Sequence, residues 1–264
     1  MGKVFQSGPT AGHRHLCWSG HMLLVAHRGA SAVAPENTLS AFRAAIEAGA
    51  DAIEFDVQAS ADGQLVVVHD STLDRTTDGT GAVFETDGAT IAGLDAGGWF
   101  SPGFAGERVP TLEEVLALDG VGFELELKGY GVAFLEAVLH AVRAAHALDR
   151  VEFTGWNLPL LARLKRLEPS ARTGLFSSRQ PEWMPDPVFE HHVVGTAATS
   201  GFDVAHVYAG DLTPSISQRL HGLGLEVHAN DAASAEDVRR AMRSGADRLS
   251  ANDVDLALQV MRPS

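Results

Sequence analysis

The sequence predicts an α/β chain folded as a (β/α)8 barrel, with a small insertion after a β-hairpin that follows the second strand. Three observations predict it. Short β-rich runs alternate with helical runs from Leu23 onward, the pattern of parallel strands joined by right-handed crossovers. Eight such units emerge once one run, 64–70, is set aside as a hairpin arm. A length of 264 residues suits a barrel, which typically takes about 250 residues as one domain. A doubly wound open sheet is the alternative architecture that the units alone leave standing.

The elements follow in order. "LLVAH" (23–27) precedes "ENTLSAFRAAIEAG", a helix with Asn37 or Thr38 as its cap and Gly49 as its stop. "AIEFDVQ" covers 52–58. "VGFELEL" covers 121–127 and leads into a helical run to about 147. "VEFTG" (151–155) precedes "LPLLARLKRLEP", and "RTGLF" lies at 172–176. "DVAHVY" (203–208) precedes "TPSISQRLHGLG", "LEVHA" (225–229) precedes "SAEDVRRAMRSG", and "ADRLSA" (246–251) precedes "DVDLALQVM". His191 and His192 fall in a Pro-rich stretch read as irregular and carry no assigned role. The run "QLVVVHD" (64–70) is separated from "EFDV" only by "QASADGQ". A parallel neighbour needs a crossover of about a dozen residues, so this run doubles back as an antiparallel arm with its turn near Ala61–Asp62. That register sets Glu54 opposite His69.

Composition narrows the setting. Hydrophobic residues make up 45% of the chain, enough for a large core, and the single cysteine, Cys17, forms no internal disulfide. A cytoplasmic location is the expectation. A net charge of -14 argues against a nucleic-acid binder, which shows a basic stripe, and against docking on an anionic membrane. No run approaches the roughly 18 apolar residues of a membrane span. Residues 1–22, with His13, His15 and His21, lack the apolar run of a secretory signal. They read as an extension, expected to be flexible, ahead of a single domain over 23–258, with Met22 as the natural start.

Chemistry concentrates at the strand ends. Alternate strand residues share a face, so Ile53, Phe55 and Val57 turn to the outer helices while Glu54 and Asp56 turn to the barrel axis. "FELELK" repeats the device: Glu124, Glu126 and Lys128 share one face, with Phe123, Leu125 and Leu127 on the other. Several unpaired buried carboxylates are very costly. A divalent cation removes that cost, and all-oxygen ligands suit magnesium, calcium or manganese. The competing reading is a structural salt-bridge network with Arg28 and Lys128. His27 ends the first strand and His69 returns to the same mouth, where barrel active sites lie. A cation, two histidines for proton transfer, and Arg28 with Lys128 to hold an anion compose a phosphoryl-transfer site. His206 lies within a strand and reads as structural.

The segments "AHRGASAVAPENTLSAFRAAIEAGADAIEFDVQASADGQLVVVHDSTLDRTTDGTG", "LDAGGWFSPGFAGERVPTLEEVL" and "ELELK" together resemble the glycerophosphodiester phosphodiesterase family. The likeness runs nearly without gaps from about residue 24 to 128 and more weakly to about 258. It implies a barrel that hydrolyses glycerophosphodiesters to glycerol 3-phosphate and an alcohol, a small-molecule substrate, with residues 70 to about 110 as the family's insertion near the mouth. By position it implies Glu54, Asp56 and Glu126 as metal ligands for one divalent cation, Mg2+ or Ca2+ with Mn2+ as a further option. It implies His27 and His69 as the catalytic pair and Arg28 and Lys128 as phosphate contacts. Which histidine is acid and which base, and whether water attacks directly or the glycerol 2-hydroxyl first forms a cyclic phosphate, are left open.

The chain departs from the family pattern in two places. Glu124 adds an acid where a neutral residue is common. "EVHANDA" replaces a Trp-bearing "WTVN"-like segment, keeping Asn230 in the Asn position with His228 nearby. Trp156, His228 and Asn230 are the candidates for the pocket wall on the alcohol side. Two other readings are a lysophospholipase D-like hydrolase of lipid phosphodiesters and an inactive barrel that only binds phosphodiesters. The first would show an apolar or basic rim and the second a lost histidine or acid; neither mark is found. An enolase-type magnesium barrel would need Lys bases at the strand ends, and only Lys128 is suitably placed.

Overall fold

The computed structural model describes residues 22–262. The expected extension and its three histidines therefore lie outside the described residues, apart from Met22 itself. Eight parallel strands close on themselves: β1 (Leu23–Ala26), β2 (Ala52–Ala59), β4 (Gly122–Leu127), β5 (Val151–Thr154), β6 (Arg172–Phe176), β7 (Val204–Tyr208), β8 (Glu226–Ala232) and β9 (Arg248–Ala251). The closure is made by β1, which pairs with both β2 and β9. β3 (Leu65–Val67) lies outside the barrel, antiparallel to β2. The open doubly wound sheet is thereby excluded.

The helices form the outer ring: α1 (Leu39–Ala48), α3 (Leu112–Leu116), α4 (Gly131–Ala144), α5 (Leu158–Leu167), α6 (Asp186–Ser200), α7 (Pro214–His221), α8 (Ala235–Ser244) and α9 (Val254–Met261), with α2 (Gly88–Gly93) in the excursion after β3. Their ends follow local chemistry. The Thr38 hydroxyl caps α1 by accepting from the Ala41 amide, and Gly49 ends it at φ 95°, a left-handed conformation that glycine adopts without a Cβ penalty. Thr111 and Glu114 form a reciprocal capping box that starts α3.

Outward-facing strand residues and inward-facing helix residues make the main core. Ile53, Phe55, Phe123, Leu125 and Phe153 are fully buried within it, and Phe55 meets Phe42 and Phe123 edge-on at 5.9 Å. A second, smaller apolar cluster of Val66, Val68, Leu73, Val83, Ile91, Ala96 and Val109 ties the excursion after β3 to the hairpin arm.

Two expectations are corrected. The hairpin register pairs Val57 with Val67 and Ala59 with Leu65, one place off the expected register, and its last backbone bond runs from Val68 N–H to Asp56 O, so the ladder ends before Glu54 and does not set His69 opposite it. The turn is centred on Asp62 because Gly63 takes φ 86° and closes back on Ser60, the three-residue turn with a left-handed third position. The stretch around His191 and His192 is also helical, not irregular. Pro185 and Pro187 occupy the start of α6, where a missing N–H costs nothing, and Phe189, Val193 and Ala197 give it a buried stripe.

Candidate active site

The mouth at the C-terminal ends of the strands is built from β1, β2 and β4 and the loops that follow. Glu54 and Asp56 on β2 sit in register with Glu124 and Glu126 on β4. Glu54, Asp56 and Glu126 are buried, and each offers one oxygen such that the three lie within 4.8 Å of one another. Arg28 takes φ 55°; its backbone N–H donates to Glu54 Oε2 at 2.8 Å. Its guanidinium lies 2.9 Å from Glu36 and 3.5 Å from Asp56. Lys128 Nζ lies 2.7 Å from Glu126 and 3.3 Å from Asp56. Asn37, also left-handed at φ 59°, donates its amide to Asp56 Oδ2 at 2.8 Å.

Three carboxylates thus face two cations, and the imbalance appears in their proton affinities. Burial pushes Glu126 up to about 7, Asp56 adds to this, and Lys128 only partly offsets it. Burial likewise pushes Glu54 well above the usual carboxylate range, helped by Asp56, Glu126 and Glu124. Burial would raise Asp56 too, but Lys128 and Arg28, with His69 and the Asn37 hydrogen bond, outweigh it and hold Asp56 low. Asp56 Oδ1 and Glu126 Oε1 are buried and share the single ammonium of Lys128, at 3.3 and 2.7 Å. A hard divalent ion matches this donor set in charge and in its oxygen-only chemistry.

The histidines are held from behind. His27 Nδ1 lies 2.7 Å from Asn252 Oδ1. The carbonyl oxygen can only accept, so Nδ1 carries a hydrogen, and in the neutral ring Nε2 holds the lone pair. That Nε2 is 3.5 Å from Asp231 and 3.9 Å from Glu54. His69 Nδ1 lies 2.7 Å from Asp70 Oδ1. Burial lowers the His69 pKa, against the opposing pull of Asp56 and Asp70. Asp70 is gripped in turn by Arg75, which also clamps Glu36 with two bonds of 2.8 Å. Asp70, Arg75, Glu36 and Arg28 therefore link the excursion to the loop after β1.

Glu54, Asp56, Glu126, His27, His69, Arg28 and Lys128 gather around one mouth. Trp156 stands on its rim, 56% exposed and stacked on Phe176 at 5.3 Å. Asn230 is buried on β8 beside a register shift between Ala229 and Ala232. His228 does not line the mouth: it is fully buried two residues back along β8, 3.1 Å from Glu124. Glu124 lies deeper in the barrel too, where it faces His206 and His228. Sequence reasoning missed Asn37 and Asn252, which loops bring in, and Asp231, which a register shift near the end of β8 brings in at φ 58°. For Asp70 a signal was available, since it adjoins His69.

The profile described as the Glycerophosphoryl diester phosphodiesterase family matches residues 27–256. The chain is 33% identical over 248 residues to the glycerophosphodiester phosphodiesterase of Caldanaerobacter subterraneus subsp. tengcongensis, covering 91% of this chain and 98% of that one. A glycerophosphoryl diester phosphodiesterase structure from Silicibacter pomeroyi superposes with a TM-score of 0.80 at 28% identity, covering 95% of this chain and 94% of that one. A phosphodiesterase from Oleispira antarctica, solved with the product sn-glycerol-3-phosphate, gives a TM-score of 0.81 at 27% identity, covering 92% and 98%. The chain belongs to the glycerophosphodiester phosphodiesterase family and is an enzyme of that family.

Proposed function

We propose that the protein hydrolyses glycerophosphodiesters to glycerol 3-phosphate and an alcohol. The observation that carries this is the convergence of Glu54, Asp56 and Glu126 within 4.8 Å, beside Arg28 and Lys128 and beneath two histidines. Glu54, Asp56 and Glu126 would hold one divalent cation, Mg2+, Ca2+ or Mn2+, which when bound neutralises charge on the phosphoryl oxygens. Arg28 and Lys128 bind the same oxygens and orient the phosphorus. His27 and His69 form the acid–base pair. One imidazole removes the proton from the attacking oxygen, and the other, protonated, donates to the departing alcohol oxygen, so protons balance across the step. Asn252 and Asp70 fix the ring orientations and keep each Nε2 for that transfer.

The substrate is a small soluble phosphodiester. A small-molecule phosphodiesterase needs no nucleic-acid or membrane partner, and no described helix is long and apolar enough to cross a membrane. A cytoplasmic setting belongs to this reading and rests on the single cysteine. The test is release of glycerol 3-phosphate from glycerophosphocholine and glycerophosphoethanolamine under EDTA, magnesium, calcium and manganese, with His27→Ala alongside. Cation-dependent release that the variant abolishes supports the reading. Release only from lysophospholipids would move the enzyme to lipid phosphodiesters, and none from either class, with binding retained, would favour the inactive barrel.

A further inference from the structure

Beneath the mouth the barrel holds a second convergence that the proposed reaction does not use. Glu124, Glu152, His206 and His228 each offer one ligand atom within 4.8 Å of the others. All four are buried, the two histidines completely. They come from β4, β5, β7 and β8.

The protons on this cluster can be placed. Glu152 is gripped by Arg248 at 2.8 Å and Arg172 at 3.1 Å. Those cations and His206 overcome the effect of burial and keep it ionised. His206 Nε2 lies 2.8 Å from Glu152 Oε1, and a carboxylate can only accept, so Nε2 carries the hydrogen. In a neutral imidazole the other nitrogen, Nδ1, is then a bare lone pair. It faces Glu124 Oε1 at 3.7 Å, while His228 Nδ1 stands 3.1 Å from Glu124 Oε2. Neither contact is a hydrogen bond: His206 Nδ1, both ring nitrogens of His228 and Glu124 Oε2 have no partner among the described residues. Leaving such buried atoms unpaired is unfavourable.

The geometry resembles a ligand set. Ligands at about 2.0–2.2 Å around a tetrahedral ion stand roughly 3.4 Å apart, and the separations of His206 Nδ1 from Glu124 Oε1 and of His228 Nδ1 from Glu124 Oε2, 3.7 and 3.1 Å, fall on either side of that value. A histidine that binds metal through one nitrogen usually gives its other N–H to a carboxylate, as His206 does to Glu152. Space for that pair is kept by Gly174, where a Cβ would come within 2.5 Å of His206 Nε2 and 2.7 Å of Glu152 Oε1.

We propose that Glu124, His206 and His228 form a second metal site inside the barrel, which takes a divalent ion of borderline softness such as zinc, with Glu152 orienting His206. Its two-nitrogen, one-oxygen donor set separates it from the oxygen-only mouth, whose acids suit harder ions.

The probe is cobalt(II) added to the full chain, read by visible absorption and not by activity. Nitrogen-ligated cobalt of low coordination absorbs intensely, and six-coordinate cobalt among oxygens absorbs weakly. The expected result is an intense band that persists in Asp56→Asn, which disables the mouth, and that disappears in Glu124→Gln and His228→Gln, with cobalt binding weakened at least about tenfold, the lower bound for perturbing a metal's supporting shell. An intense band absent from the unsubstituted protein, or one lost in Asp56→Asn but kept in His228→Gln, overturns the proposal. Should the substituted chains fail to fold, an anomalous difference map of zinc-soaked crystals of the unsubstituted protein decides. A peak between Glu124 and the two histidines supports the site, and its absence, with the three groups sharing only a proton, refutes it.

Discussion

The mouth and the floor of this barrel both carry charge into the interior, yet they accommodate it differently. On the floor, Glu152 and Glu226 meet Arg172 and Arg248 in a closed set of contacts: Arg248 reaches both acids at 2.8 and 3.0 Å, and Arg172 pairs with both as well. Acids and cations match one to one, and Glu152 stays ionised. At the mouth, three acids face two cations, and Glu54 and Glu126 are driven toward protonation. Balanced charge makes a structural plug, whereas unbalanced charge leaves oxygens for an incoming cation and cations for an incoming phosphate. Glu124 belongs to neither balance. It lies between the two layers, and burial pushes it up to about 7, against the favourable pull of His206.

The largest effects should separate the two regions by function. His27→Ala and His69→Ala should each lower kcat by about 10²–10⁴-fold in a glycerol 3-phosphate release assay, while the denaturant midpoint stays in place. Arg248→Met should do the reverse. Removing one partner of a fully buried ion pair costs about 3–5 kcal/mol, so urea unfolding should show that loss while the remaining folded enzyme keeps its kcat. If Arg248→Met instead abolished kcat without lowering stability, the division into plug and reaction site would fail.

A smaller effect concerns pH. With its folded-state pKa raised to about 7, Glu126 holds a proton below that value which a cation must displace. Affinity for magnesium or calcium should therefore fall as pH drops below about 7, by about tenfold per unit for each displaced proton, as calorimetric titration would reveal. The sign reverses for the stability of the metal-free chain. An unfolded Glu ionises near 4.5 while the folded Glu126 resists until about 7, so ionisation erodes stability as pH rises through that window. Glu126→Gln should thus gain on the unsubstituted chain between those values. A flat difference would mean that Lys128 compensates Glu126 fully, bringing the mouth closer to the floor in character.

The smallest effect is expected at the rim. Trp156→Ala removes one aromatic stack, worth about 1 kcal/mol, and should shift KM for glycerophosphodiesters by no more than about fivefold. A larger KM change that depends on the alcohol group would make Trp156 a specificity wall.

Much of this was legible in the chain because it depends on short-range rules. Period-2 alternation in "IEFDV" and "FELELK" assigns Glu54, Asp56, Glu126 and Lys128 to the barrel axis whatever the neighbours are. The short "QASADGQ" link compels a hairpin. The register was missed by one residue because it turned on the left-handed conformation of Gly63, and a one-residue shift changes every opposite pair. The helix around His191 was missed because prolines that break a helix interior are at home at its start.

What the sequence determined by itself is the alternation that makes a barrel, the set of acids turned inward, and the pair of histidines at strand ends. All of these follow from local periodicity and chain length. Tertiary structure alone decided which inward charges are neutralised. Glu152 meets Arg248 across 96 positions of chain and His206 across 54, and Asn252 meets His27 across 225. Barrel closure sets those contacts, and the energy of a buried charge depends on what lies within a few ångströms of it, a quantity that residue spacing along the chain does not contain.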